Sequence, residues 1–171
     1  MSRSGLRDRC EQLLSGLDIP DTFDVRTFAR SLGDSRGRRL VLRPTQNLHG
    51  PCGLWIALDS TDVVFYETTT SPLHQTQIIL HELGHLIAGH LSDRTLDEQL
   101  LHALMPSLNP AMVRRVLSRS GYSHAQEREA EMLATLILSR VDPATRSVTM
   151  IRRLTRPVDV LHATLGGDPR L

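Results

Sequence analysis

Residues 78–90 of this chain read I-I-L-H-E-L-G-H-L-I-A-G-H, a long apolar helix that carries the pattern H-E-x-x-H. No other stretch constrains the fold as much. On a helix of 3.6 residues per turn, side chains four apart share a face. His81 and His85 therefore aim two imidazoles at one point, which suits a metal that takes nitrogen ligands, with zinc the usual one. Glu82 lies about 100° round the helix from His81. That offset makes it a poor third ligand but places it to contact a water at the metal, the position of a general base in metal-assisted hydrolysis. Composition alone would produce this pattern by chance in about one chain in a few hundred of this length. The alternative is a buried helix with two hydrogen-bonded histidines. It leaves an acidic side chain in an apolar setting without compensation, which is costly, and a metal removes that cost.

The rest of the composition narrows the class. The 171 residues suffice for one domain with a real core, and 40% hydrophobic with 23% charged residues are globular values. A net charge of +1 shows no strong pull toward nucleic acid, so no direct nucleic-acid binding is expected. All 20 basic side chains are arginine, which fits a GC-rich bacterial coding bias. No apolar run approaches the length of a membrane span, and the N-terminus has no signal-peptide core. Cys10 and Cys52 lack zinc-ligand spacing and are expected as ordinary reduced thiols. A soluble, cytoplasmic protein is the expectation.

Along the chain, residues 4–16 show helical spacing of Leu6, Cys10, Leu13 and Leu14. Asp24 can cap a second helix from Val25 to Leu32, which Gly33 would end. Arg39 to Arg43 alternates as a strand. Cys52 to Leu58 and Val63 to Thr69 form a hairpin across residues 59–62. Either hairpin strand could in addition serve as the edge along which a peptide lies, although an ordinary sheet role is the simpler expectation. Ser71-Pro72 starts the metal helix, Ser as cap and Pro at the first helical position. Gly84 inside that helix marks a close approach. Weaker helical segments follow at Leu96–Leu104 and Pro110–Leu117. Ser123 caps a further helix from His124 to about Arg140, and the tail 141–171 has a helical patch around Val148–Leu154. The expected fold is α+β: a small, mainly antiparallel sheet packed on the metal helix and further helices. One domain is expected over 1–171, with its core at about 20–140.

A catalytic zinc usually holds three protein ligands. A third histidine in the extended pattern H-E-x-x-H-x-x-G-x-x-H would need Gly at 88 and His at 91, where this chain has Ala88 and Leu91. His90 is displaced by one residue, about 100° on a continuing helix, and is expected as a surface or helix-end residue. The better source is the helix at 124–140, with Glu127, Glu129 and Glu131 in its first turns. Such acids also complement a helix dipole. Glu127, Ala130, Glu131 and Ala134 share one face, and the two alanines permit close packing, at Gly84 for example. The face argument favours Glu127 as the ligand, with Glu129 the alternative, about 160° away. Glu131, one turn beyond Glu127, could orient a ligand histidine.

With H-E-L-G-H at 81–85, the later helix E-R-E-A-E-M-L-A-T-L-I-L at 127–138, and a short helix, strand and hairpin before the metal helix, the chain resembles the ImmA/IrrE family of bacterial zinc metallopeptidases. The second motif is similar to the family's E-x-x-A-N/D-x-F-A-x-x-L-L, with Glu131 in place of Asn or Asp and Leu133 in place of Phe. The resemblance implies zinc on His81, His85 and Glu127, Glu82 as base, and a gluzincin-like core. It also implies a protein substrate, often a helix-turn-helix repressor. An oxyanion donor is needed as well, and His124, Tyr122 and Tyr66 are the candidates. The other functional class is a non-catalytic, metal-stabilised regulator that binds a partner protein.

Overall fold

The computed structural model describes residues 3–20, 23–46, 52–58, 60–90, 104–105, 113–117 and 122–141. Its elements in chain order are α1 (Arg3–Ser15), α2 (Val25–Ser35), β1 (Arg39–Thr45), β2 (Gly53–Leu58), β3 (Thr61–Glu67), α3 (Pro72–Ala88), β4 (Val113–Leu117) and α4 (His124–Arg140). The fold is α+β. The four strands form one sheet in the order β1-β3-β2-β4. β2 pairs antiparallel with β3 and with β4, whereas β1 runs parallel to β3. A parallel neighbour needs a crossover, and here β2 lies between β1 and β3 in the chain but beyond β3 in the sheet.

Side chains alternate across the hairpin with the period of two that a strand imposes. Trp55, Val64 and Tyr66 join the main core under the helices, while Leu54, Ile56, Val63 and Phe65 form a second cluster on the other face, packed by Leu104 and Met105. A buried carboxylate sits among them. Asp62 accepts from the Trp55 indole at 3.1 Å and from Arg38 Nε at 2.9 Å, while Arg38 also donates to the Leu58 carbonyl at 2.7 Å.

The helix caps follow the expected chemistry. Asp24 accepts from the Thr27 amide and starts α2. Ser71 accepts from His74 N with Pro72 in the first turn of α3. Ser123 and Gln126 form a reciprocal capping box at α4. Gly33 does not stop α2, which continues to Ser35. A Cβ there would sit 2.7 Å from the Arg38 carbonyl, so this glycine serves the packing of α2 on the chain entering β1.

Two expectations change. Val113–Leu117 is a strand, not part of a helix from Pro110 to Leu117. Val113 and Val116 fit a helical spacing, but pairing with the outer side of β2 is non-local and leaves no periodic trace. With β4 in place, neither hairpin strand is a sheet edge over its paired register; β1 and β4 are the outer strands. The helical patches at Val148–Leu154 and, but for Leu104, at Leu96–Leu104 lie outside the described residues.

Candidate metal centre

α3 carries His81 and His85 on the face it turns to α4. Gly84 lies between them and allows the contact, because a Cβ there would come within 2.8 Å of the Ala130 carbonyl oxygen. The close approach expected at Gly84 is therefore with Ala130 of α4. Glu127, three residues before Ala130, reaches the two imidazoles as a result. His81 Nε2 and His85 Nε2 stand 3.1 Å apart, and Glu127 Oε2 is 3.2 Å from the first and 3.9 Å from the second. In a tetrahedral zinc site with bonds of about 2.0–2.1 Å, ligand atoms sit about 3.3 Å from one another. These three residues are the His, Cys, Asp and Glu group that could hold a metal ion among the described residues, and two nitrogens with one carboxylate oxygen form a donor set suited to zinc. His85 is fully buried and His81 nearly so.

Glu82 is also buried, at 1% exposure. It is held against the start of β2, where a Cβ at position 53 would lie 2.7 Å from Glu82 Oε1 and equally close to the Ile78 side chain. Gly53 thus makes room for the carboxylate. A cavity of about 150 Å³ opens beside it, lined by Cys52, Gly53, Gln77, His81, Glu82 and Glu131, among others.

Of the three expected oxyanion donors, Tyr122 reaches the centre. Its ring stacks on that of His85 with centroids 3.6 Å apart and planes 12° from parallel. Its hydroxyl is buried with no hydrogen-bond partner among the described residues. Burial first, and then the charges of Glu82 and Glu127, hold this phenol far above the usual tyrosine range, so it keeps its proton as a donor. Tyr66 is engaged elsewhere, accepting from Arg26 Nη2 at 2.8 Å, and burial raises its phenol above the ordinary value. His124 is exposed at the first residue of α4.

His90 stands just past the end of α3, the helix-end place expected of it, but it is not a surface residue; it is buried, at 6% exposure. Gly89 takes a left-handed conformation, with φ 67°, and ends α3, which folds His90 back beneath the helix. An angular argument for a continuing helix does not survive that turn. His90 Nδ1 lies 2.9 Å from His85 Nδ1, and its Nε2 lies 3.2 Å from Glu129 Oε2. Glu129, weighed above as an alternative ligand, is turned from the cluster toward His90 and Arg9, whose Nε lies 2.5 Å from Glu129 Oε1. Glu131 is exposed and borders the cavity; the carboxylate behind His85 is Glu129, reached through His90. The signal that could have flagged His90 was Gly89 directly before it, a standard helix stop. Nothing local marks Arg9.

A two-histidine, one-carboxylate cluster on crossed helices, beside a small mixed sheet, defines a minimal zincin-like domain with a possible metal site. The chain belongs to the peptidase M78 family, whose model, described as the IrrE N-terminal-like domain, matches residues 20–150. This membership supports a metallopeptidase type of function and a protein substrate. No curated protein matches the chain. No helix among the described residues is long and apolar enough to cross a membrane.

Proposed function

We propose that the protein is a zinc-dependent endopeptidase that cuts a regulatory protein, with a helix-turn-helix repressor the substrate class the family resemblance favours. The observation that carries this reading is the convergence of His81, His85 and Glu127 beside a buried Glu82, within a match to a peptidase family. Its setting is the cytoplasm, where Cys10 and Cys52, both free, stay as thiols.

His81 and His85 would hold zinc through Nε2 and Glu127 through a carboxylate oxygen. The chemistry a zinc ion held there would supply is that of a Lewis acid, acidifying a water and polarising a peptide carbonyl. Glu82 takes the proton from the attacking water and hands it to the leaving amine. Tyr122 donates its hydroxyl proton in a hydrogen bond to the oxyanion that develops on the carbonyl oxygen. Only the start of β2, Gly53 and Leu54, lies outside the register with β4, and this short stretch beside the cavity is where an extended peptide can align.

Glu82→Gln keeps the size of the side chain and removes the base. Incubated with a proteome-derived peptide library, the zinc-loaded protein should produce new termini detectable by mass spectrometry. The variant should be slower by about 10²–10⁴-fold at equal zinc content. Equal cleavage by both forms would remove Glu82 from the chemistry. A protein that never cleaves, but whose biological effect survives Glu82→Gln, would instead be the partner-binding regulator.

A further inference from the structure

Behind His85, on the side away from the ligand cluster, runs a continuous line of polar groups: His85, His90, Glu129 and Arg9. It crosses three segments, the end of α3, the first turns of α4, and α1. The last of these lies before residue 20 and so outside the family match.

We propose that His90, Glu129 and Arg9 are positioning residues for the metal centre, and that α1, which precedes the matched residues 20–150, is its brace. The proposal rests on the reading of His81, His85 and Glu127 as metal ligands.

The direction of every hydrogen bond in the line follows from one choice. A histidine that gives its Nε2 lone pair to a metal carries its proton on Nδ1. His85 Nδ1–H then donates to His90 Nδ1, 2.9 Å away. His90 Nδ1 is thereby the acceptor, so the His90 proton sits on Nε2 and is donated to Glu129 Oε2 at 3.2 Å. The other oxygen, Glu129 Oε1, accepts from Arg9 Nε. A donor meets an acceptor at each step, and reversing any one of them would leave two donors or two acceptors facing each other. The line sets the tautomer and ring plane of His85, which Tyr122 clamps from its face. Glu129 is nearly buried, whereas Arg9 is half exposed, so the arginine closes the line at the surface.

α1 is seated for this purpose by more than one contact. The Cys10 thiol donates to the Glu129 backbone carbonyl, and Arg140 of α4 pairs with Glu11 and donates to the Leu14 carbonyl. Helix α1 thus holds α4 at Glu129, one turn before Leu133, and again at Arg140, its last residue.

The test is zinc affinity by chelator competition on the full chain, together with imidazole ¹⁵N–¹H spectra of the zinc-loaded protein. Glu129→Gln should weaken zinc binding about 10- to 100-fold, the usual effect of losing a carboxylate behind a ligand histidine. Arg9→Met should weaken it less, in the same direction, and the double variant should be no weaker than Glu129→Gln alone. Arg7→Met removes an exposed pair with Glu11 on the same helix and should change nothing. The spectra should place protons on His85 Nδ1 and His90 Nε2. If Glu129→Gln fails to fold, Arg9→Met and the spectra of the unaltered protein decide. Zinc affinities of both variants within about twofold of the original, or a His90 proton on Nδ1, overturn the proposal. Zinc bound by the original chain and lost in His81→Ala shows that the metal reading stands in that event. Absence of zinc binding by the original chain overturns both.

Discussion

At the scale of single residues, the site depends on small spaces as much as on ligands. Gly53 has no Cβ where Glu82 Oε1 and Ile78 need the room. The atoms it would meet include a branched, packed side chain, so Gly53→Ala must displace Glu82. We expect this variant to retain its zinc and lose peptidase rate by at least about tenfold, a loss typical of a misplaced catalytic group. Zinc analysis and cleavage rates on one preparation check it; an unchanged rate would show that Glu82 tolerates the shift. Tyr122→Phe keeps the stack on His85 and removes only the hydroxyl. Loss of one oxyanion donor costs about 10²–10³ in kcat, so kcat should fall while zinc affinity stays level. A fall in zinc affinity without a fall in kcat would assign the hydroxyl to the metal site's support.

At the scale of elements, the crossing of α3 and α4 is the joint that assembles the cluster. The Gly84 contact is with Ala130 backbone, which cannot rotate away as a side chain could. Gly84→Val should therefore part the helices and destabilise the fold by about 1–3 kcal/mol, the range for overpacking. Because Glu127 rides on α4, zinc affinity should fall with it. Denaturant unfolding and chelator competition measure the two effects, and a variant with native stability and native zinc affinity would contradict the joint. The same scale explains where local patterning held and where it did not. Caps at Asp24, Ser71 and Ser123 are short-range hydrogen bonds, and the helices start where those residues stand. β4 is held by pairing with β2, about a third of the chain away, and its own residues suit a helix nearly as well.

At the scale of the whole molecule, α1 couples to the core through Cys10, which is fully buried. Burial, with the Glu129 charge adding to it, pushes this thiol from 9.0 up to about 11. Between those two values the unfolded chain loses the proton and the folded chain keeps it. The stability that is fully present below pH 9.0 therefore falls as pH rises through the window. The loss from this one group is on the order of 2 kcal/mol. Unfolding free energies at pH 8 and pH 10.5 should differ by less in Cys10→Ala than in the original chain. An identical pH slope in both would assign the alkaline loss to other groups, Tyr66 among them.

The metal helix and its H-E-x-x-H pattern, the cap residues, the α+β class and the family likeness were legible in the chain itself, because each rests on residues within a turn or two of one another. The pairing of Glu127 with that helix was legible only in part, as a shared face with Ala130 and Ala134. Tertiary structure alone decided the rest. It turned His90 inward at Gly89, set Glu129 behind it, brought Arg9 across from α1, and left Glu131 at the cavity. Such contacts join residues far apart in the chain, 39 positions for His90 with Glu129 and 120 for Arg9 with Glu129. Their stabilisation comes from burial and hydrogen-bond satisfaction in the assembled core, and no local periodicity encodes that.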